Sequence, residues 1–238
     1  MRKITRAEKL LWEFHRICFS PYINFPDEVK KLPFWRRYTT EQNKRYWEKR
    51  KGWEEYLNTA DHPHRYFISH ILKQLNWLSL IEIGCGSGPN LANIVKSIPN
   101  KQLGGVDINA EAIEICKRTF KGGHFKICSA DNIMMTDKGT DIALSDMFLI
   151  YVGPFKIKRY LTELKRITRN NIVLVEYHSK SWWKRQYLRI FSGRHAYDYK
   201  KLLKEMGFYD VTLIKMPEFE PDNEQEFRYM IVAKPPKN

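Results

Sequence analysis

The chain has 238 residues, 43% hydrophobic and 14% aromatic, which is enough for one sizeable core and a small appendage. No apolar stretch approaches the roughly 20 residues that span a bilayer, and charges interrupt the apolar positions of the N-terminus, so we expect neither a membrane span nor a secretion signal. The formal charge of +14 keeps RNA, acidic membranes and anionic small molecules open as partners. The four cysteines lack metal-binding spacing, which predicts reduced thiols and a cytoplasmic protein.

Residues 1–64 are predicted to form a helical extension. Apolar residues at helical spacing predict one helix from Thr5 to about Cys18 and another after Thr40. The second helix carries Trp47 and Trp53 within the aromatic and basic run YWEKRKGWEEY. We expect this run either to pack in the core or to close over a bound ligand as a lid.

A third helix is predicted to begin near Asp61, because Pro63 suits a first helical turn. His62 and His64 lie close together in the same segment, DHPHR. No acidic or cysteine pattern accompanies them, so no metal site is predicted.

Residues 65–238 are predicted to form one α/β domain with a Rossmann-like, doubly wound sheet. Short apolar strands alternate there with amphipathic helices, and the strands are LSLIEIG, QLGGVDI, HFKICSA, DIALSDM and NIVLVEY. Two more strands, FYDVTLIKM and EFRYMIVAK, follow without a helix between them. We therefore expect an antiparallel pair at the end of the sheet.

The loop after the first strand, GCGSGP, is typical of a nucleotide-cofactor site at the carboxyl edge of a parallel sheet. Dinucleotide binding favours G-x-G-x-x-G/A, but Pro89 takes the third small position and lacks an amide donor for a phosphate. Glu82, two residues before the first glycine, would repel a pyrophosphate and favours a cationic ligand. The pattern points to a sulfonium amino acid.

Acidic residues also end the later strands. Asp107 ends the second strand about 20 residues beyond the loop, where an acid accepts hydrogen bonds from ribose hydroxyls. Asp131 follows the third strand, where it is placed to hold an adenine amine. The predicted cofactor-binding residues are Glu82, Gly84, Cys85, Gly86, Gly88, Asp107, Ile108, Asp131, Asn132 and Asp146.

The motifs IEIGCGSG, GGVDI, SADN and SDMFLIYVG make roughly residues 65–234 resemble the class I S-adenosylmethionine-dependent methyltransferases. The resemblance implies a seven-stranded sheet with its last strand antiparallel, and S-adenosylmethionine as cofactor. It also implies that the glycines face the methionine part, that Asp107 holds the ribose and Asp131 the adenine, and that Glu82 supports the loop and the methionine amino group. The segment Ser145–Phe148 lacks the Asn/Asp-Pro-Pro-aromatic pattern frequent in enzymes that methylate bases or amides, which favours the small-molecule branch.

The expected function is methyl transfer to oxygen, nitrogen or carbon of a small molecule. An RNA methyltransferase that uses the basic surface is one alternative, and a cofactor-binding subunit without catalysis is another. His178 and Tyr151 follow strand ends and are the candidate catalytic acid-base groups. An exposed loop histidine and a packing aromatic are the alternative interpretations.

An insertion, residues 179–195, follows the fifth strand. Its segment SKSWWKRQYLRIFSGR contains five Lys/Arg and no acid. A helix there would place Trp183, Tyr187, Ile190 and Phe191 on one face and Lys184, Arg185 and Arg189 on the other. Such a helix suits a cap over a small acceptor, an RNA-binding element or an anchor on an anionic membrane. Its position after a strand end favours the cap.

Overall fold

The computed structural model of the protein describes residues 40–219 and 224–236. The helix predicted from Thr5 to Cys18 lies outside these residues. The helices are α1 (Thr40–Lys49), α2 (Trp53–Leu57), α3 (Pro63–Lys73), α4 (Pro89–Ser97), α5 (Ala110–Thr119), α6 (Ile157–Ile167), α7 (Trp182–Phe191) and α8 (Tyr199–Glu205). Short 3-10 turns cover Asn58–Asp61, Leu149–Tyr151 and Gln225–Phe227.

Seven strands form one sheet in the order β3-β2-β1-β4-β5-β7-β6. The strands are β1 (Ser79–Ile83), β2 (Gln102–Asp107), β3 (His124–Ile127), β4 (Thr140–Asp146), β5 (Thr168–Tyr177), β6 (Tyr209–Lys215) and β7 (Arg228–Lys234). Strand β7 is antiparallel to both of its neighbours, β5 and β6, and the remaining pairs are parallel. The predicted fold class and the antiparallel last strand are confirmed.

The strand order reverses at β1, whose two neighbours are β2 and β4. Ile83 at the end of β1 lies opposite Val106 of β2 on one side and Ser145 of β4 on the other. In an open parallel sheet, ligands bind beyond the carboxyl ends of the strands at such a reversal. The topology therefore directs attention to the loops that follow β1, β2 and β4.

The strands read as nearly continuous apolar runs because helices cover both faces of the sheet. Leu161 and Leu164 of α6 are buried on one face, and Ile68 of α3 and Leu91 of α4 are buried on the other. The boundary predicted between residues 64 and 65 falls inside α3, whose buried side packs against α4.

The described part of the extension packs against α5 near the carboxyl edge of the sheet. Trp53 is only 3% exposed and contacts Ala112 and Ile115 of α5. The Asn109 side chain, which caps α5 by accepting from the amide of Ala112, also donates to the Trp47 carbonyl at 2.8 Å. Helices α1 and α2 are thereby held beside the end of β2.

Helix α7 confirms that the insertion is helical over Trp182–Phe191. Its Leu188 is buried against Ile150 and Tyr177. Within residues 40–219 and 224–236, no helix has the length and apolarity needed to cross a bilayer.

Candidate cofactor site

A cavity of about 260 Å³ lies at the carboxyl edge of the sheet, where the topology predicts a ligand site. The loop after β1, the ends of β2 and β4, and helices α1 and α2 all contribute to its wall. Its lining includes Trp47, Arg50, Trp53, Gly84, Gly86, Asp107, Ile108, Asp146 and Tyr151. A wall of strand ends and aromatic side chains is typical of a small-molecule or cofactor site.

Two glycines in the loop after β1 bring its backbone against the cavity. Gly84 has a φ of +71° and Gly86 a φ of +53°, in the left-handed region that side chains rarely adopt. A Cβ at Gly84 would lie 2.8 Å from the Phe148 ring, and one at Gly86 would lie 2.7 Å from the Trp53 ring. The loop therefore requires glycine at both positions, for conformation and for space.

Asp107, at the end of β2, ties this loop to the start of α5. Its Oδ2 accepts from the backbone N–H of Gly86 at 2.9 Å, and its Oδ1 accepts from that of Asn109 at 2.9 Å. Burial raises the pKa of Asp107, while the backbone hydrogen bonds oppose that shift. Each carboxylate oxygen keeps a second lone-pair direction, so the carboxylate can accept hydroxyl donors from the cavity.

Asn90 holds two acidic side chains together beneath the glycine loop. Its Nδ2 donates to Glu82 Oε1 at 2.6 Å and to Asp146 Oδ2 at 3.0 Å. Burial raises the pKa of Glu82 to about 8, and the Asn90 hydrogen bond only partly offsets this. Glu82 lies behind the cavity wall, whereas Asp146 lines it.

Basic residues at the start of α3 compensate the charge of Asp146. His64 Nε2 lies 3.0 Å from Asp146 Oδ2, and Arg65 donates to Asn90 Oδ1 at 2.6 Å and to the Thr59 carbonyl at 2.9 Å. Burial alone would raise the pKa of Asp146, but His64 and Arg65 beside it lower that pKa to about 2. Asp146 therefore remains a carboxylate at neutral pH.

Two carboxylate oxygens in this network lack a hydrogen-bond partner among the described residues. They are Glu82 Oε2 and Asp146 Oδ1, and both are buried. A buried carboxylate oxygen without a donor is costly, so the arrangement suits a ligand that brings N–H donors and positive charge. The ammonium of an amino-acid ligand fits this requirement, and a pyrophosphate does not. The residues present thus fit the predicted cofactor, S-adenosylmethionine.

An aromatic cluster from α1 and α2 covers the cavity. The Arg50 guanidinium lies 4.8 Å from the ring centroids of both Trp47 and Trp53 and 5.3 Å from that of Tyr56. The Trp47 ring also packs edge-on against Tyr151, with centroids 5.2 Å apart. These side chains pack together and line the cavity, and their role as a lid over a bound ligand stays a prediction.

The sequence favours the insertion, residues 179–195, as the cap of the site, whereas the residues that cover the cavity come from α1 and α2. All described cavity-lining residues lie between Asn43 and Tyr160, so none of the described side chains of residues 179–195 is among them. Leu188 of α7 packs against the cluster that includes Met147 and Tyr151, which supports the segment after β4. That the insertion caps a bound acceptor stays a prediction.

The other predicted cofactor residues are split by the structure. Ile108 lines the cavity, whereas Cys85, Gly88 and Asn132 are not in its lining. Asp131 is also outside the lining, and its oxygens bind Ser129 Oγ at 2.5 Å and Arg159 Nε at 3.1 Å. Ser129 and Ala130, just before it, do line the cavity. The adenine role of Asp131 stays a prediction.

The two candidate acid-base groups have different surroundings. Tyr151 lines the cavity, and burial raises its pKa. His178 is not in the lining: it is 6% exposed, its Nδ1 accepts from the Tyr199 amide at 3.2 Å, and its ring packs on Tyr229. Burial lowers the pKa of His178. The histidine is thus neither an exposed loop residue nor in contact with the cavity.

Glu176, a charged residue near the end of the apolar strand β5, was missed by the sequence reasoning. Its Oε1 accepts from Ser145 Oγ at 2.7 Å and from the Leu149 amide at 2.9 Å, and its Oε2 accepts from the Ile150 amide at 3.1 Å. Burial raises the pKa of Glu176 to about 8. This carboxyl anchors the segment that carries Tyr151 to the cavity. The sequence signal that could have identified Glu176 is its position as a single acidic residue in the apolar run NIVLVEY.

A metal role for His62 and His64 gains no support from their surroundings. The two Nδ1 atoms lie 2.7 Å apart, and His64 turns its Nε2 toward Asp146. Among the residues that the structure describes, no group of three or more His, Cys, Asp or Glu side chains has metal-binding proximity. The pair instead supports the Asp146 network.

The doubly wound sheet with an antiparallel β7, and a cavity at its reversal point, are features of the class I methyltransferase fold. The family model described as "Methyltransferase domain" matches residues 80–171. This part of the chain is therefore similar to the methyltransferase domain family, and the predicted resemblance is confirmed. Methyltransferases of this class use S-adenosylmethionine, as predicted.

Known proteins similar to this chain share mainly its fold. An uncharacterized protein of Rickettsia prowazekii (strain Madrid E) is 26% identical over 121 residues, which is 47% of this chain and 47% of that protein. The chain thus matches about half the length of this curated relative.

Three solved structures have a similar fold at low identity. Geranyl diphosphate C-methyltransferase from Streptomyces coelicolor A3(2), solved with S-adenosylhomocysteine, has a TM-score of 0.61 at 13% identity. The match covers 87% of this chain and 100% of the Streptomyces chain. A chain from the complex of the Haloferax volcanii Trm112 methyltransferase activator with a candidate methyltransferase has a TM-score of 0.60 at 13% identity, covering 79% and 99%. Phosphoethanolamine N-methyltransferase 2 from Haemonchus contortus has a TM-score of 0.52 at 13% identity, covering 71% and 52%.

Proposed function

We propose that this protein is an active S-adenosylmethionine-dependent methyltransferase whose acceptor is a small molecule. The observation that carries the proposal is the pair of buried oxygens, Glu82 Oε2 and Asp146 Oδ1, that lack donors among the described residues beside a glycine loop. Asp146, which lines the cavity, can accept from the ammonium of the cofactor, and Glu82 lies behind it as a second acidic group. Asp107, at the opposite side of the loop, suits the ribose hydroxyls.

The cofactor supplies an activated methyl group when it is bound. The chain contributes binding, orientation and exclusion of water, which are the main requirements for such a transfer. Trp47 and Trp53 shield the cavity, and Glu176 orients the segment that carries Tyr151. Of the predicted acid-base pair, Tyr151 lines the cavity, which supports a role for its hydroxyl toward the acceptor.

The aromatic side chains that line the cavity support a small acceptor. Helices α1 and α2 cover the cavity, whose volume is about 260 Å³. Its lining residues do not form the long row of cations that a nucleic-acid backbone would follow. Enzymes of the same fold act on geranyl diphosphate and on a phosphorylated ethanolamine, which are small molecules. The net charge of +14 is the observation that favours the second candidate, an RNA methyltransferase.

The test is to incubate the purified protein with methyl-labelled S-adenosylmethionine and with cell extract, either nuclease-treated or untreated. Label in small polar or organic-soluble material, unchanged by nuclease, is the expected result. Label in a nuclease-sensitive polymer would contradict the small acceptor and favour RNA. Cofactor binding without label in any fraction would indicate a non-catalytic subunit.

A further inference from the structure

Helix α7 displays large aromatic side chains to solvent. Trp182 is 52% exposed, Trp183 76% and Tyr187 38%. Trp182 and Trp183 contact each other, with ring centroids 4.6 Å apart and planes at 80°. We call these three side chains the α7 surface. Exposed tryptophans adjacent on one short helix are uncommon on a soluble surface and mark a contact site.

The orientation of α7 explains this exposure. Leu188 is 1% exposed and packs on Ile150 and Tyr177, so it defines the side of the helix that faces the protein. Successive residues turn by 100° in an α-helix, which places Trp183 and Tyr187 about 100–140° away from Leu188, toward solvent. The helix therefore has two apolar sides, one buried in the protein and one outward.

Positive charge surrounds the outward side. The segment 179–194 holds five Lys/Arg and no acid. Lys180 and Arg189 are exposed, while Arg185 keeps its charge near the helix start by donating to the carbonyls of Ser179 and Lys180. Among the described residues, two of the five cations are paired with acids, Lys184 with Glu226 and Arg194 with Glu224. The complementary partner is an anionic surface with an apolar interior.

We infer that the α7 surface docks the protein on anionic lipid bilayers. Tryptophan and tyrosine favour the membrane-water interface, and an amphipathic helix flanked by Lys/Arg lies flat on anionic lipid. Single-stranded RNA requires aromatic faces on which successive bases stack. The perpendicular rings of Trp182 and Trp183 on a convex helix offer no such platform. The inference does not depend on the proposed methyl transfer.

Docking would bring the bilayer close to the cavity. The inner side of α7, at Leu188, packs in the same cluster as Met147 and Tyr151, and both of these line the cavity. Helix α7 and the cluster around its Leu188 therefore lie between the α7 surface and the cavity wall. An acceptor dissolved in or attached to the bilayer would have a short path to the site.

The test is co-sedimentation of the full chain with two kinds of vesicle, pure phosphatidylcholine and equal parts of phosphatidylcholine and phosphatidylglycerol. We expect binding to the anionic vesicles only, and at least about a tenfold weaker partition for Trp183→Ser. Trp183→Phe should restore most of the binding. Leu78→Ser is the matched control, because Leu78 is 68% exposed at the opposite, amino edge of the sheet.

Charge is tested by a matched pair of double variants. Lys180→Glu with Arg189→Glu should weaken binding to anionic vesicles at least about tenfold, since an anionic lipid surface attracts basic side chains and repels acidic ones. Lys73→Glu with Lys121→Glu changes the net charge equally, away from α7, and should have little effect. Circular dichroism and the melting temperature establish that all the variants remain folded.

Three results would overturn the inference. The first is no binding of the folded wild-type chain to anionic vesicles, and the second is vesicle binding that Trp183→Ser leaves unchanged. The third is binding to polyuridylate, but not to vesicles, that Trp183→Ser abolishes; this result would make the surface an RNA-binding element.

Discussion

Replacing Asp107 by alanine should weaken cofactor binding far more than it weakens the fold. The carboxylate has hydrogen bonds of 2.9 Å from Gly86 and Asn109, and it lines the cavity. Hydrogen bonds to a charged group contribute about 1.5–3 kcal/mol each. Loss of one such hydrogen bond to the ribose should cost about 1.5–3 kcal/mol, which is a Kd about 10–150-fold higher. Isothermal titration calorimetry with S-adenosylmethionine measures the Kd of the wild-type protein and of the variant.

Asp141→Ala is the matched control. Asp141 is also a buried acid that accepts from backbone amides, those of Leu78 at 2.9 Å and Ser79 at 3.1 Å, but at the amino edge of the sheet. We expect this variant to lower the melting temperature and leave cofactor affinity unchanged. Equal loss of affinity in the two variants, or unchanged affinity in Asp107→Ala, would refute the assignment of Asp107.

Other predictions follow from the same geometry. Burial raises the pKa of Glu82 to about 8, so binding of a cationic ligand near neutral pH should release a proton from this carboxyl. The binding heat measured by calorimetry should therefore depend on the buffer, and Glu82→Gln should abolish that dependence. Gly86→Ala should weaken cofactor binding about tenfold, because the new Cβ lies 2.7 Å from the Trp53 ring; unchanged affinity would contradict this. The folded-state pKa of Glu176 is raised from 4.5 to about 8, so its contribution to stability is complete at acid pH and is lost as pH rises through that window; Glu176→Gln should flatten the dependence of the melting temperature on pH. His178→Gln should lower the melting temperature by about 2–4 °C and leave kcat unchanged, whereas a large fall in kcat would restore the catalytic interpretation.

The sheet was predictable because its strands are buried on both faces and therefore stand out as apolar runs between amphipathic helices. The glycine loop and Asp107 were predictable for a related reason, since both directly follow strands whose carboxyl ends must meet. Gly84 and Gly86 indeed adopt left-handed conformations beside Asp107.

Contacts between distant segments were not predictable. His64 and Asp146 are 82 residues apart, and no spacing rule connects the start of α3 with the end of β4. The orientation of α7 was equally hidden, because Leu188 and Trp183 are both apolar and periodicity does not tell which of them faces the protein. In the structure, the packing of Leu188 shows which side of α7 faces the protein. The residues that cover the cavity come from α1 and α2.

The most direct measurement of the central claim is equilibrium binding of S-adenosylmethionine and of NAD to the purified wild-type protein by calorimetry. The account predicts saturable binding of S-adenosylmethionine and none of NAD, because Glu82 and Asp146 favour a cationic ligand and Pro89 lacks the amide that a pyrophosphate would use. Binding of NAD with no binding of S-adenosylmethionine would contradict it.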